Sequence, residues 1–224
     1  MPLYIGGTAA SKVYVGGTLA SAVYLGSTKV WASFTPGTTT FSTVGTSTYT
    51  IPAGAQYLDI IVCSGGEAGT NGTLGNGQGG KAGVFNGGTF ILGGSGNVNR
   101  IPLTTTTLSV VVGAGGASNG ADGAKSSVTG TGLYWGFLFS GTWYPGEPSP
   151  SIFDAMGGAG GMGVVNVAGG TSTGATVNGI NYAGGAGGVT LGTAGAAPGG
   201  GGAGGGFGGA GGKGGDGRVW IRAY

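Results

Sequence analysis

Six carboxylates, one thiol and no imidazole make up the ordinary catalytic side chains of this 224-residue sequence. Without histidine there is no Ser-His-Asp or Cys-His arrangement, no histidine metal site and no imidazole to move a proton near neutral pH. Asp59, Glu67, Asp122, Glu147, Asp154 and Asp216 are separated in sequence, and no spacing among them proposes a pair that divides acid and base roles. Cys63 alternates into the apolar run YLDIIVCS and has no histidine partner, which reads as a packed thiol rather than a nucleophile. Two motif matches remain. GNGQGGKA, residues 75–82, satisfies G-x-x-x-x-G-K and contains G-x-G-x-x-G, but Ala82 stands where a hydroxyl would hold magnesium and no helix-forming segment follows. GGKGGD, residues 211–216, opens like a calcium-binding nonapeptide, but Arg218 takes an apolar position and no tandem repeat follows. The sequence assigns no catalytic residue, no metal site and no cofactor.

Binding chemistry is better represented. The stretch LYWGFLFSGTWYPGEPSPSIFDAM, residues 133–156, gathers Tyr134, Trp135, Phe137, Phe139, Trp143, Tyr144 and Phe153 in a chain that is 9% aromatic. One reading is a β-hairpin whose aromatics pack in a core or a trimer seam. The other is an exposed platform for cell-envelope glycan, because rigid rings offer contact area with little side-chain entropy to lose. On that reading Trp135, Trp143 and Tyr144 stack on sugars while Glu147 and Asp154 accept hydroxyls. Both readings stay open at this level.

The elements that would carry such a surface are unusual. The chain holds 61 glycines and only 6% charged residues, against typical shares of roughly 7% and ~25%. No segment has the 3.6-residue apolar rhythm of a helix, and glycine disfavours helix interiors by ~1 kcal/mol relative to alanine. A net charge of +2, scattered along the chain, leaves no footprint for nucleic acid. MPLYIGGTAA lacks the basic start and apolar core of a signal peptide, and no apolar run approaches the ~20 residues that span a bilayer. The expectation is a protein made in the cytoplasm and not inserted into a membrane. A single cysteine allows no internal disulfide.

The glycines are phased. In FGGAGGKGGDGRVW, residues 207–220, Phe207, Ala210, Lys213 and Asp216 are three apart with glycines between them. Met156, Ala159 and Met162 repeat the phase, as do Ala183, Ala186 and Val189, and the glycine series 66, 69, 72, 75 and 77, 80, 83. A polyproline-II-type helix has three residues per turn and no internal hydrogen bonds, so its backbone must bond to neighbouring chains. Gly-Gly-X then leaves two bare backbone faces for neighbours and one face for side chains, the packing of polyglycine II. Collagen would need a strict single glycine per triplet and far more than eight prolines.

Between the tracts lie β-prone runs: YLDIIVCS from Tyr57, TLSVVVGAGG from Thr107 and RVWIRAY at residues 218–224. Upstream, LYIGGTAASK, VYVGGTLASA and VYLGSTKVWA are three decapeptide repeats that place Tyr4, Tyr14 and Tyr24 ten apart. Each reads as a short strand and a tight turn, too small to bury its own apolar face. The expected fold is all-β with almost no α-helix. A decapeptide β-repeat assembly module spans residues 1–33, a Thr-rich connection 34–48, and a glycine-rich β-sheet domain with packed polyglycine-II helices 49–224. Tyr4, Tyr14, Tyr24 and Trp31 are the assembly candidates, buried in a trimer seam or docked on another protein.

The decapeptides VYVGGT and VYLGSTKVW resemble the N-terminal segments of minor tail proteins of tailed bacteriophages, particularly those of actinobacteria. The pieces YTIPAGAQYLDIIVCSGG, GQGGKAGV, LSVVVGAGG and GGDGRVWIRAY resemble the glycine-rich domain of phage tail fibre and adhesin proteins. The resemblance implies a homotrimeric virion component of the tail tip or fibre, bound to other phage tail proteins, with some members contacting the host surface through loops. A free glycine-rich ligand-binding protein, ice-binding or of the cell wall, is the alternative of a different class.

Overall fold

The computed structural model describes residues 34–93, 99–134 and 167–224 throughout, and elsewhere mainly the backbones of short paired strands. Among the described residues there is no helix; the chain is all-β. Each decapeptide forms one antiparallel hairpin: β1 (Tyr4–Ile5) with β2 (Thr8–Ala9), β3 (Tyr14–Val15) with β4 (Thr18–Leu19), and β5 (Ala22–Leu25) with β6 (Thr28–Ala32). The Thr-rich segment expected as a connection holds β7 (Gly37–Phe41) and the start of β8 (Gly45–Thr50). Threonine is β-branched and favours strands, so a Thr-rich stretch beside an open sheet edge pairs with it.

Two sheets form a sandwich. The first contains β9 (Tyr57–Cys63), β10 (Phe85–Leu92), β11 (Arg100–Ile101) and β19 (Arg218–Ala223), in the order β11-β10-β9-β19-β7. The second joins β12 (Thr107–Val112), β13 (Ser126–Thr129) and β16 (Ser151–Ala155) in the order β16-β13-β12-β8. Two hairpins complete the set, β14 (Gly136–Phe139) with β15 (Thr142–Pro145), and β17 (Ala175–Val177) with β18 (Ile180–Tyr182). The alternation in β9 sends Leu58, Ile60 and Val62 into the space between the sheets, against Leu108, Val110, Val112 and Val128, with Val219 and Ile221 of β19 beside them. The opposite face of β9 is buried as well. Ile61 and Cys63 lie with Trp220 beneath Tyr182, Val177 and Ile180 of the β17–β18 hairpin. Trp220 is sandwiched there, its ring 5.8 Å from Phe85 and 5.5 Å from Tyr182.

The glycine tracts form a bundle that continues the sandwich at one end, where β9 and β12 lead out and β10, β13 and β19 lead back. Its centre is the run 199–206, of which residues 199–205 are buried. The amides along it return to the same neighbour every third residue. Gly200 and Ala203 donate to Ala196 and Thr193, Gly201 and Gly204 to Gly170 and Val167, and Gly202 and Gly205 to Glu67 and Thr70. The carbonyls repeat the cycle with other neighbours. Gly83, Gly80 and Gly77 donate to Gly199, Gly202 and Gly205; Gly215 and Gly212 donate to Gly200 and Ala203; Gly188 and Gly192 donate to Gly201 and Gly204. One chain is thus bonded to six stretches around it, with the threefold recurrence that three residues per turn require. The phased glycines 66, 69 and 72 likewise all donate to a single run, at Gly215, Gly212 and Gly209.

Close approach explains the composition. A Cβ on Gly201, Gly202 or Gly204 would collide with the backbone carbonyl oxygen of Gly80, Gly212 or Gly77, nearer than real Cβ contacts come. The residues that keep side chains face outward at the same period: Ala183, Ala186 and Val189 are all exposed, as are Phe207, Ala210, Lys213 and Asp216. The phase of Met156, Ala159 and Met162 lies outside the described residues.

Candidate recognition surface

Tyr134 of the aromatic stretch lies with its ring 4.0 Å from the Arg100 guanidinium, and Leu133 is buried; beyond them the stretch is described only in the backbone of its strands. Trp143 and Tyr144 sit on β15, opposite Leu138 and Phe137 of β14. Asp154 lies on β16, opposite Ser127 of β13. Trp135 and Glu147 lie outside the described residues, as do the side chains of Trp143, Tyr144 and Asp154. Among the assembly candidates, Tyr4 pairs with Ala9, Tyr14 with Leu19, Tyr24 with Lys29 and Trp31 with Val23. Tyr24 is 58% exposed, leaving its ring available to a neighbour.

Asp59, Cys63, Glu67 and Asp216 each hold structural contacts. The G-x-x-x-x-G-K match lies in an extended run whose Gly77, Gly80 and Gly83 amides already donate to the central run, so they cannot cradle phosphate. In the calcium-like match, the Asp216 carboxylate accepts the Gly115 amide at 2.9 Å, and the Lys213 and Asp216 carbonyls accept Gly195 and Gly199. Glu67 accepts the Lys81 amide at 3.1 Å. Burial pushes the Cys63 thiol up to about 12, although a hydrogen bond with Ser172 and the nearby Arg218 charge pull the other way. That thiol is held protonated and unreactive.

Asp59, one of the six carboxylates scattered along the sequence, is the most heavily bonded of these groups. It is completely buried, and its Oδ1 accepts from Thr89 Oγ1 at 2.7 Å, Asn178 Nδ2 at 2.8 Å and Tyr224 OH at 3.1 Å. Arg222 reaches its other oxygen at 3.4 Å. The carboxylate therefore ties β9, β10 and β19 to the β17–β18 hairpin. Asn178 is placed by the turn Asn178-Gly179, whose φ angles of 48° and 75° fit a type I′ hairpin. The Asn-Gly pair between Val177 and Ile180 was the sequence signal for that hairpin. Nothing in sequence tied it to Asp59, 119 residues away.

What the bundle does present is its far end. The runs leaving the sheets reverse there in four turns, around 72–77, 117–120, 189–192 and 206–209, all at the level of Thr70 and Gly205 rather than of Cys63. They are tied together. Asn119 Oδ1 accepts the Asn71 amide and Asn71 Oδ1 accepts the Gly211 amide, each at 3.0 Å. Gly72 donates to Gly209 and Gly192 to Gly204. On these turns stand Leu74, Val189 and Phe207, exposed by 92%, 79% and 76%, with Leu191 beside them. They are the three most exposed large apolar residues among those described, and no charged residue occurs in any of the four turns. Exposed apolar side chains gathered at one end of a scaffold make that end the candidate recognition surface.

Comparison with known proteins agrees with the composition. The glycine-rich domain family matches residues 38–224, a span that begins within β7. The chain is also similar to the Gene 32 protein of Mycobacterium phage L5, 40% identical over 137 residues, covering 57% of this chain. The match spans 58% of that phage protein's length. With its threefold glycine bundle and a family match over most of its length, the chain belongs to the glycine-rich domain family.

Proposed function

We propose that the chain is a structural component of a phage virion, built into the tail tip or a tail fibre, where it contributes to recognition of the host cell surface. It would be made in the host cytoplasm. The hairpins of residues 4–32 would assemble it as a homotrimer and dock it on other tail proteins, and the glycine bundle would face outward. The observation that carries the reading is the polarity of the fold. Gly37, where the chain passes from the hairpins into the first sheet, pairs with Ala223 at the end of β19 farthest from the bundle. The four turns stand at the opposite end. A chain held by one end and uncharged at the other suits a projecting tip better than a catalyst. The similarity to a phage gene product supports the same setting.

The test is immunogold electron microscopy with antibodies raised against the purified chain, applied to virions of the phage that encodes it. Label at the end of the tail away from the capsid is expected. Purified virions that contain none of the chain by mass spectrometry would defeat the proposal.

A further inference from the structure

Resting on the outward-facing reading of the turns, we propose that the tip of the bundle docks onto a lipid surface, with Leu74, Val189, Leu191 and Phe207 entering its apolar layer. Three features of the tip select this partner. First, the anchors are mainly aliphatic: Leu74, Val189 and Leu191 have no flat face on which a sugar ring could stack, so a glycan is poorly matched. Second, residues 72–77, 117–120, 189–192 and 206–209 contain no charged side chain. An anionic polymer or a headgroup recognised by charge would need lysine or arginine there, whereas partition into hydrocarbon is opposed by every charge it must bury. Third, the anchors stand on separate turns and are exposed by about half or more. Leu74, the most exposed of them, stands in a turn that also holds Gly75, where an added Cβ would meet nothing within 4 Å. Side chains exposed singly on neighbouring turns fit a soft layer that closes around them better than a shaped protein pocket.

The scaffold suits the task. Three of the four turns are closed by backbone bonds, from Gly209 to Gly206, Thr193 to Thr190 and Ala121 to Ser118, which fixes the positions from which Val189 and Phe207 project. Thr73, Asn76, Ser118, Asn119 and Thr190 surround them with neutral hydrogen-bonding groups that match ester and headgroup oxygens. A few side chains can dip into one face of a bilayer without any segment long enough to cross it.

The test is flotation of the purified full-length chain with phosphatidylcholine vesicles, with and without phosphatidylglycerol, at low and high salt. Binding to phosphatidylcholine alone is expected, changing by less than about twofold with anionic lipid or salt because no charge is involved. The double substitution L74S/F207S should lower the partition coefficient by about tenfold or more, since each removes a buried hydrocarbon anchor. L103S, which removes an exposed leucine away from the tip, should leave it unchanged. Absence of flotation, a requirement for phosphatidylglycerol, or wild-type binding by L74S/F207S overturns the assignment. Immunogold label at the tail end together with empty vesicles would remove the lipid partner alone and leave the virion reading standing.

Discussion

Replacing Gly202 by alanine adds one methyl group to the centre of the bundle, and its cost follows from the backbone around it. The new Cβ would lie against the carbonyl oxygen of Gly212, an atom of a neighbouring hydrogen-bonded run and not a flexible side chain. Relief requires one run to move, and Gly202 donates to Glu67 at 2.9 Å while accepting from Gly80 at 2.7 Å. Overpacking of this kind costs ~1–3 kcal/mol. Weakening two buried backbone bonds adds ~1–3 kcal/mol for each group left short of a partner. Alanine restricts the unfolded chain and returns only ~0.4–1 kcal/mol. The net loss is about 2–9 kcal/mol, or roughly 4–35 °C in Tm for a chain of this size. Gly75 is the internal control: nothing lies within 4 Å of its Cβ position and its φ is ordinary, so G75A should stabilise by ~0.4–1 kcal/mol. Urea and thermal unfolding of G202A, G75A and wild type measure both. A G202A protein within about 1 kcal/mol of wild type would refute the claim that the runs touch backbone to backbone.

Other expectations follow from named contacts. Asp59→Asn keeps the shape and an oxygen for the three close hydrogen bonds but removes the charge that strengthens them and turns an amide towards Arg222, and should cost ~2–4 kcal/mol in urea unfolding, whereas Tyr224→Phe, which removes one bond, should cost ~0.5–1.5 kcal/mol. Arg222 contributes little to that difference, being partly exposed and 3.4 Å away. Burial raises the Tyr49, Tyr182 and Tyr224 phenols above 10.0 and takes Cys63 from 9.0 to about 12. The folded state then holds these protons to higher pH than the unfolded chain, so their contribution is intact below about pH 9 and is lost as pH rises towards 12. Urea midpoints measured from pH 8 to 11 should fall, and less steeply for C63A. At pH 8 the Cys63 thiol should ignore a disulfide reagent until the chain is unfolded. If the aromatic hairpin serves the proposed host contact, W143A/Y144A should abolish adsorption of virions while leaving their assembly unchanged.

The parts of the fold that were legible in sequence are those with a local period. The three-residue spacing of Ala210, Lys213 and Asp216 appears directly as three exposed side chains over a buried backbone, because a threefold chain turns every third residue to the same side. The alternation of Leu58, Ile60 and Val62 likewise marks the face of β9 that fills the sandwich. What sequence could not show depends on contacts between distant segments. Asp59 looks like one polar residue in an apolar strand until Thr89, Asn178 and Tyr224 converge on it from 30, 119 and 165 residues away. Leu74, Val189 and Phe207 are isolated apolar residues among glycines, and only the common direction of the glycine runs makes them neighbours. The Thr-rich stretch resembled a linker because nothing in β7 or β8 alone reveals that each borders a sheet.

The orientation of the molecule on a virion is the point on which the account turns. Leu74→Cys and Thr38→Cys place single reactive thiols at opposite ends of the fold, with Cys63 buried and silent. Gold coupled to each on assembled virions and viewed by electron microscopy should put the Leu74 label at the outer end of the tail. It should lie beyond the Thr38 label by ~40–50 Å, the combined length of a glycine run and a strand. Virions that carry neither label, or that hold the Leu74 label nearer the capsid than the Thr38 label, would contradict the account.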